Sequence, residues 1–414
     1  MEKINPPELE QEIGLLCYKS RTDGIGGKIK QLPEDFIVEE ITEDGAVLEA
    51  VGYGDVPEVA VEIPCSSGEN PPAGEFLHFT LQKNNWDTMR AMKEISKRLG
   101  VSRNRLSFAG TKDKRAVTVQ RASAWNIKEE DLEKVNIKDI QLREFSYSND
   151  RIDLGDLQGN RFAITIRNLD LDADSIKNII DSITDELKAG FPNFFGVQRF
   201  GTTRPITHLV GKEILKGNPK EAAMLYLTKT YPDEPEETRE AREFLRKTED
   251  FKESIKKFPR NLGYELSMLN HLIQNPDDFP GALKSLPKKL GMMFVHAYQS
   301  YIFNLALSRY ITEGFDIERL PLPGHETELD EITEEILSAE KISREDFRIK
   351  GMREFSSKGM YRECFIPFEN FRIMDIEEDD LNEGSRKATI VFSLGKGSYA
   401  TTLLREFMKN RYWS

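Results

Sequence analysis

The sequence predicts an α+β protein, a strand-rich domain interrupted by a helix-rich one, on three observations. As far as about residue 204, segments alternating at the strand period are interspersed with single amphipathic helices. From 206 to about 314 the period is almost wholly helical. Strand-like alternation then returns near 362–374 and 388–394. These shifts set the expected domains at 1–204 with 365–414, and at 205–364 between them. A chain of 414 residues, 38% hydrophobic and 31% charged, has ample material for two cores of ordinary globular composition.

Taken in order, residues 28–63 read as strands and turns, with 37–41 and 46–51 flanking 42–45 at a hairpin-like spacing. Residues 64–74, with three prolines and two glycines, read as a loop, and 75–81 alternate as a half-buried strand. An amphipathic helix is expected over 87–99, with Trp86, Met89, Met92 and Leu99 on one face, Arg90, Lys93 and Lys97 on another, and Gly100 as its stop. Strands at 106–109 and 116–125 bracket a turn around Asp113, and 161–167 is a further strand. Ile176, Ile179, Ile180, Ile183 and Leu187 recur at helical spacing, with Gly190 beyond. Beyond Arg204-Pro205 come the helices, among them the long apolar stretch 290–310.

Several function classes find no support. No apolar run approaches the roughly 20 residues a membrane helix needs, and the segment Met1–Pro7 lacks a basic-then-apolar leader pattern. Cys17, Cys65 and Cys364 are far apart and odd in number, which fits a reducing cytoplasm better than a disulfide framework or a cysteine metal knuckle. His78, His208, His271, His296 and His325 are scattered, with no metal-ligand spacing among them. Neither a P-loop, nor a GxGxxG after a strand, nor a GxSxG elbow occurs. No metal and no cofactor is expected.

The net charge of −13 argues at first against a nucleic-acid partner, but its distribution reverses that reading. From Lys83 to Arg121 eleven Lys or Arg stand against three acids, a local net of +8, while the acids gather at 233–243, 326–340 and 375–380. The stretch is either a solvated helix face or a basic groove for a polyanion. Within it lies Gly110-Thr111-Lys112-Asp113-Lys114-Arg115, a lone carboxylate among cations. Positive neighbours favour the ionised form, which suits a nucleophile or base rather than an acid, and the cations suit phosphate oxygens. An exposed hairpin tip is the plainer alternative. A second segment, Pro192-Asn193-Phe194-Phe195-Gly196-Val197-Gln198-Arg199-Phe200-Gly201, interleaves aromatics with edge-reading polar groups. It offers either a stacking surface for an unstacked base or a core-packing strand end. A third, Leu394-Gly395-Lys396-Gly397-Ser398-Tyr399-Ala400, is a Gly-rich turn opening a helix and a weak anion signal on its own.

Together these segments resemble the TruD family of tRNA pseudouridine synthases. The resemblance runs through 30–39, 107–120, Gly159-Asn160-Arg161-Phe162, the 192–201 segment, 299–304, and 397–401 with Arg405-Glu406. It implies a pseudouridine-synthase catalytic domain with a mixed, mainly antiparallel sheet, interrupted by an inserted helix-rich α+β domain. It implies isomerisation of uridine to pseudouridine in tRNA, typically at position 13, on a flipped-out base and without a cofactor. The family's catalytic aspartate falls on Asp113, its active-site lysine on Lys30, and the aromatic that packs on the target base on Phe195. Base-contacting positions fall on Phe36, Asn193 and Tyr399, and Lys112 and Arg115 remain the cations beside the reacting nucleotide. Two other readings use the same residues differently: a non-catalytic tRNA-binding or folding protein, and a metal-assisted phosphohydrolase built from the acidic clusters.

Overall fold

The computed structural model describes residues 5–52 and 74–410. Cys65 and the expected loop at 64–74, except Gly74, lie outside the described residues. The strands, in chain order, are β1 (Phe36–Ile41), β2 (Phe76–Asn84), β3 (Leu106–Phe108), β4 (Val117–Trp125), β5 (Ile140–Ser148), β6 (Gly159–Leu169), β7 (Phe191–Pro192), β8 (Arg319–Leu322), β9 (Met360–Glu363), β10 (Phe365–Ile366), β11 (Glu369–Glu378) and β12 (Arg386–Gly395). The chain divides into two compact units, with seams at 21/22, 190/191 and 366/367, where the sequence pattern had suggested only 204/205 and 364/365.

The described parts of 22–190 and 367–410 form the sheet unit, with strand order β11-β12-β6-β1-β4-β2-β5 and β3 beside β4. Every pairing is antiparallel except β1 with β4, which run parallel, so the sheet is mixed and mainly antiparallel as expected. Strand β1 lies centrally and is buried on both faces. On one face Ile37 aligns with Val117 and Ala163 and packs with Val391. On the other a ladder of rings crosses the strands: Phe36 meets Phe162 edge-on at 6.2 Å, and Phe162 stacks on Phe392 at 5.4 Å. Phe371 continues the ladder onto Phe407 at 5.1 Å, in the Ala400–Met408 helix.

The expected hairpin is reduced to a single bridge between Ile41 and Val47. Strands β6 and β4 already occupy the two edges of β1, so 46–51 has no free edge to extend along. Instead its main chain bonds to buried side chains: Ala50 N–H to Glu39 at 2.8 Å and Val51 N–H to Gln82 at 2.9 Å. The Thr88–Arg98 helix starts on Asp87, whose carboxylate accepts from the Arg90 N–H, and ends before Gly100 at φ +67°. It buries Ala91, Met92 and Ile95, but Met89, expected on one face with Met92, is 53% exposed. At 100° per residue Met89 falls roughly 100° from the centre of that stripe, which is too far round to reach the sheet.

An arginine hub pins the chain just ahead of β1. Arg167 of β6 donates to Asp35 at 2.7 Å and to Asp379 and Asp380 at 2.8 Å each. Burial raises the Asp379 carboxyl. The N–H groups of Leu381 and Asn168, the Asn382 amide and the Arg167 guanidinium outweigh that and bring it to about 2.

Residues 5–21 and Phe191–Ile366 form the second, helical unit. Its longest helix, Lys288–Glu313, runs 26 residues, and Gly211 of the Thr207–Leu215 helix lies so close that a Cβ would meet Phe294 O at 2.1 Å. Arg242 is buried here between Glu234 at 2.9 Å and Glu265 at 2.7 Å. The short pairs β7 with β10 and β8 with β9 complete the unit. Among the described residues no helix is long and apolar enough to cross a membrane.

Asp379 tests the hub. Its carboxyl is depressed from 3.8, so its contribution is complete above that value and is lost as pH falls toward 2. Asp379→Asn is expected to lower stability to urea by about 2 kcal/mol at pH 7, with the deficit closing as both proteins are titrated down toward pH 2. A deficit independent of pH would show that the carboxylate charge is not what binds the hub.

Candidate active site

Asp113 sits on the loop between β3 and β4, whose antiparallel register ends at Phe108 opposite Ala122. Three side chains with little or no exposure hold the main chain of that loop. The Gln120 amide donates to Gly110 O at 2.8 Å, the Thr88 hydroxyl accepts from Lys112 N–H at 3.1 Å, and Lys83 Nζ donates to Asp113 O at 3.0 Å. Thr88 and Gln120 are themselves bonded at 3.2 Å. The Lys112 ammonium turns inward to Glu40 at 2.7 Å, where the two side chains are 5% and 0% exposed. The loop is thus rigid from behind, and the Asp113 carboxylate is left facing outward, 37% exposed.

Lys30 reaches that carboxylate with its ammonium and forms an ion pair with Oδ2. The chain approaches Lys30 through two constraints. Lys28 exchanges both main-chain hydrogen bonds with Arg167, at 2.7 and 2.8 Å. Gly27, at φ +90°, lies so close to β6 that a Cβ would come within 2.7 Å of Arg167 O. Downstream, Asp35 accepts from Leu32 N–H at 2.7 Å while gripped by the Arg167 guanidinium. Lys30 itself adopts φ +58°, a left-handed conformation that costs a non-glycine residue about 1–2 kcal/mol and is tolerated only when its surroundings fix it. Its Nζ also lies 4.0 Å from the centroid of the Phe36 ring.

The structure therefore brings Lys30, Phe36 and Asp113 together. Arg115 is exposed and donates to Gln31 O at 2.9 Å, leaving the guanidinium at the surface beside this trio's loop. Tyr399, 38% exposed, precedes the Ala400–Met408 helix and makes no hydrogen bond or ring contact with the trio; its carbonyl accepts from Thr402. Asn193 and Phe195 belong to the helical unit. There Asn193 donates to Glu363 O at 2.8 Å and accepts from the Arg362 guanidinium. Asn304 clamps the Phe195 main chain with two 2.9 Å bonds, the Phe303 ring meets Phe195 edge-on at 5.6 Å, and the Arg362 guanidinium lies 4.1 Å over it. Among the described residues no group of three or more His, Cys, Asp and Glu is placed to hold a metal ion.

Sequence reasoning passed over Glu40, Thr88, Gln120 and above all Lys83. Lys83 is fully buried, and its Nζ donates to Trp86 O at 2.6 Å as well as to Asp113 O. A signal for it exists: counting by two along β2, Lys83 shares a face with Leu77, Phe79 and Leu81, all buried. Burial pushes the ammonium down, Asp113 and Asp87 pull it up and Lys112 presses it down, leaving it at about 8. Keeping it charged at neutral pH costs the fold about 3 kcal/mol relative to an exposed lysine.

Lys112 and Arg115 are separable by stability. Lys112→Met strands the buried Glu40 carboxylate and should cost about 3 kcal/mol in a urea titration, whereas Arg115→Ala should stay within about 0.5 kcal/mol of the parent. Equal effects would contradict the buried Lys112–Glu40 pair.

Comparisons with known proteins agree on one family. A family model described as tRNA pseudouridine synthase D (TruD) matches residues 12–325 and 317–407. A curated chain of Methanosarcina barkeri named "Probable tRNA pseudouridine synthase D" is 40% identical over 97% of this chain and 98% of its own. One of Methanocaldococcus jannaschii, named "Probable tRNA pseudouridine synthase D 1", is also 40% identical, over 93% of this chain and 96% of its own. The fold matches a crystal structure named for tRNA pseudouridine synthase D (TruD) of Methanosarcina mazei with a TM-score of 0.82, at 39% identity and over 99% of both chains. The chain belongs to the TruD family of tRNA pseudouridine synthases, and with it to the isomerases.

Proposed function

We propose that this enzyme isomerises uridine to pseudouridine at position 13 of tRNA, with Asp113 as the catalytic carboxylate and with no cofactor. The observation that carries the reading is the Lys30–Asp113 ion pair at the mouth of a loop whose main chain is bolted to buried side chains. Lys30 neutralises and aims the carboxylate, and the bolted loop supplies the fixed geometry that a single reacting group requires.

The chemistry asks little else. The target uridine leaves its stack, which costs a few kcal/mol that aromatic stacking partly offsets. The N1–C1′ bond breaks with its electron pair going to the uracil, the uracil turns while held, C5 bonds to C1′, the C5 proton leaves to solvent and N1 takes up a proton in its place. Atoms and electrons balance without an oxidant, a reductant or a group donor. Phe36 and Tyr399 serve as contacts for the flipped base. Exposed Arg115 suits a flanking phosphate. Lys112, engaged by Glu40, contributes positive charge behind the loop.

With tRNA carrying tritium at uridine C5, the parent enzyme should release label in proportion to pseudouridine formed. Asp113→Asn should lower release by more than about 10³-fold, while tRNA affinity stays within about threefold because the neutral amide keeps the shape of the site. Undiminished release would remove Asp113 from the mechanism. Treated tRNA mapped for pseudouridine should carry it at position 13, in EDTA as without it. Loss of turnover on chelation would favour a metal-assisted reaction instead.

A further inference from the structure

Lys83 stands out because its setting opposes its chemistry. It lies at the end of the β2 face formed by Leu77, Phe79 and Leu81, fully buried, where an apolar side chain would complete the face without a charge to solvate. A lysine ammonium has three donors and no acceptor. Here two hydrogen bonds go to main-chain oxygens of separate segments: Trp86, ahead of the Thr88–Arg98 helix, and Asp113 itself. The charged groups facing it are Asp113 and Lys112 from the loop and Asp87 from the helix cap, while β4 turns only the uncharged Thr118 and Gln120 toward that side.

We propose that Lys83 is a positioning residue for the isomerisation, fixing through its bonds to Trp86 O and Asp113 O the peptide that carries the catalytic carboxylate. The inference rests on the reading of Asp113 as that carboxylate. Lys30 holds Asp113 at the carboxylate Oδ2, and Lys83 holds it at its carbonyl. Residue 113 is thereby located from both ends, at its main-chain carbonyl and at its carboxylate. Without Lys83 the carboxylate still pairs with Lys30, but it follows the lysine instead of standing where the bound nucleotide needs it. Displacement on the order of 1 Å from the reacting geometry costs about 10²-fold in rate. The surface that tRNA meets is unaltered, because Lys83 has no exposed atom to offer it. The fold bears the desolvation of this ammonium, which makes sense if the loop position is what it secures.

The test uses full-length Lys83→Met and Lys83→Gln beside Asp113→Asn, with single-turnover tritium release, tRNA affinity and the melting temperature measured for each. Lys83→Met should lose about 10²-fold in rate per folded molecule with affinity within about threefold, and Lys83→Gln, which keeps amide donors, should recover about tenfold of that loss. A lysine serving the fold alone would lower the melting temperature and the yield of folded protein, and leave the rate per folded molecule untouched. The parental rate in both Lys83 variants, with Asp113→Asn inactive, overturns the positioning role by itself. Turnover surviving in Asp113→Asn overturns the underlying reading, whatever the Lys83 variants do.

Discussion

Arg167 is the guanidinium on which the position of Lys30 depends. It draws Asp35 from the segment before β1 and Asp379 and Asp380 from the turn before β12 onto one cation, with all but Asp380 buried. Its own main chain exchanges hydrogen bonds with Lys28. The segment 28–35 is thus held at one end by backbone and at the other by a carboxylate, and Lys30 stands between the two. A left-handed lysine is a costly conformation to leave to chance, and this double anchorage is what makes it the resting one. Desolvating three buried charges is affordable only because the donors and acceptors saturate one another.

On the other side of the ion pair the restraint is of a different kind. The Asp113 loop carries no buried apolar anchor of its own between Ala109 and Ala116. It is held by polar side chains that reach up from the sheet and the adjoining helix: Gln120, Thr88, Lys83 and Glu40. Such an arrangement fixes direction better than apolar packing would, because hydrogen bonds are directional and a buried unsatisfied partner is expensive. The face of the sheet below the loop is accordingly polar in its middle, while the Phe36–Phe162–Phe392 rings keep the rest of that face apolar.

The alternating segments and the change of texture made the α+β class legible, because strand and helix periods differ. Asp113 stood out as a lone carboxylate among cations, whereas Lys30 came only from what the family resemblance implies, because nothing in its own local chemistry marks it. What stayed hidden depended on partners distant in sequence. That Lys112 would turn from solvent to Glu40, 72 residues away, is invisible in a basic run read as a stripe. The second limb of the hairpin failed because β4 and β6, from elsewhere in the chain, had the stronger claim on β1. Met89 was misplaced by taking a pattern of apolar letters for an angle. Lys83 was legible in principle, as a charge on the apolar phase of a strand, but the habit of counting lysines as surface concealed it.

The parallel pairing of β1 with β4 has a consequence for how the protein is made. Because the two strands run the same way, the residues that precede them, Lys30 and Asp113, emerge at the same end of the sheet although 83 positions separate them. Antiparallel strands would have put them at opposite ends. The hub that sets Lys30 also needs Asp379, and β12 needs β6, so the sheet unit waits on the ribosome until the whole of Phe191–Ile366 has been synthesised. A chain released short of that point lacks the anchor for a lysine near its own beginning.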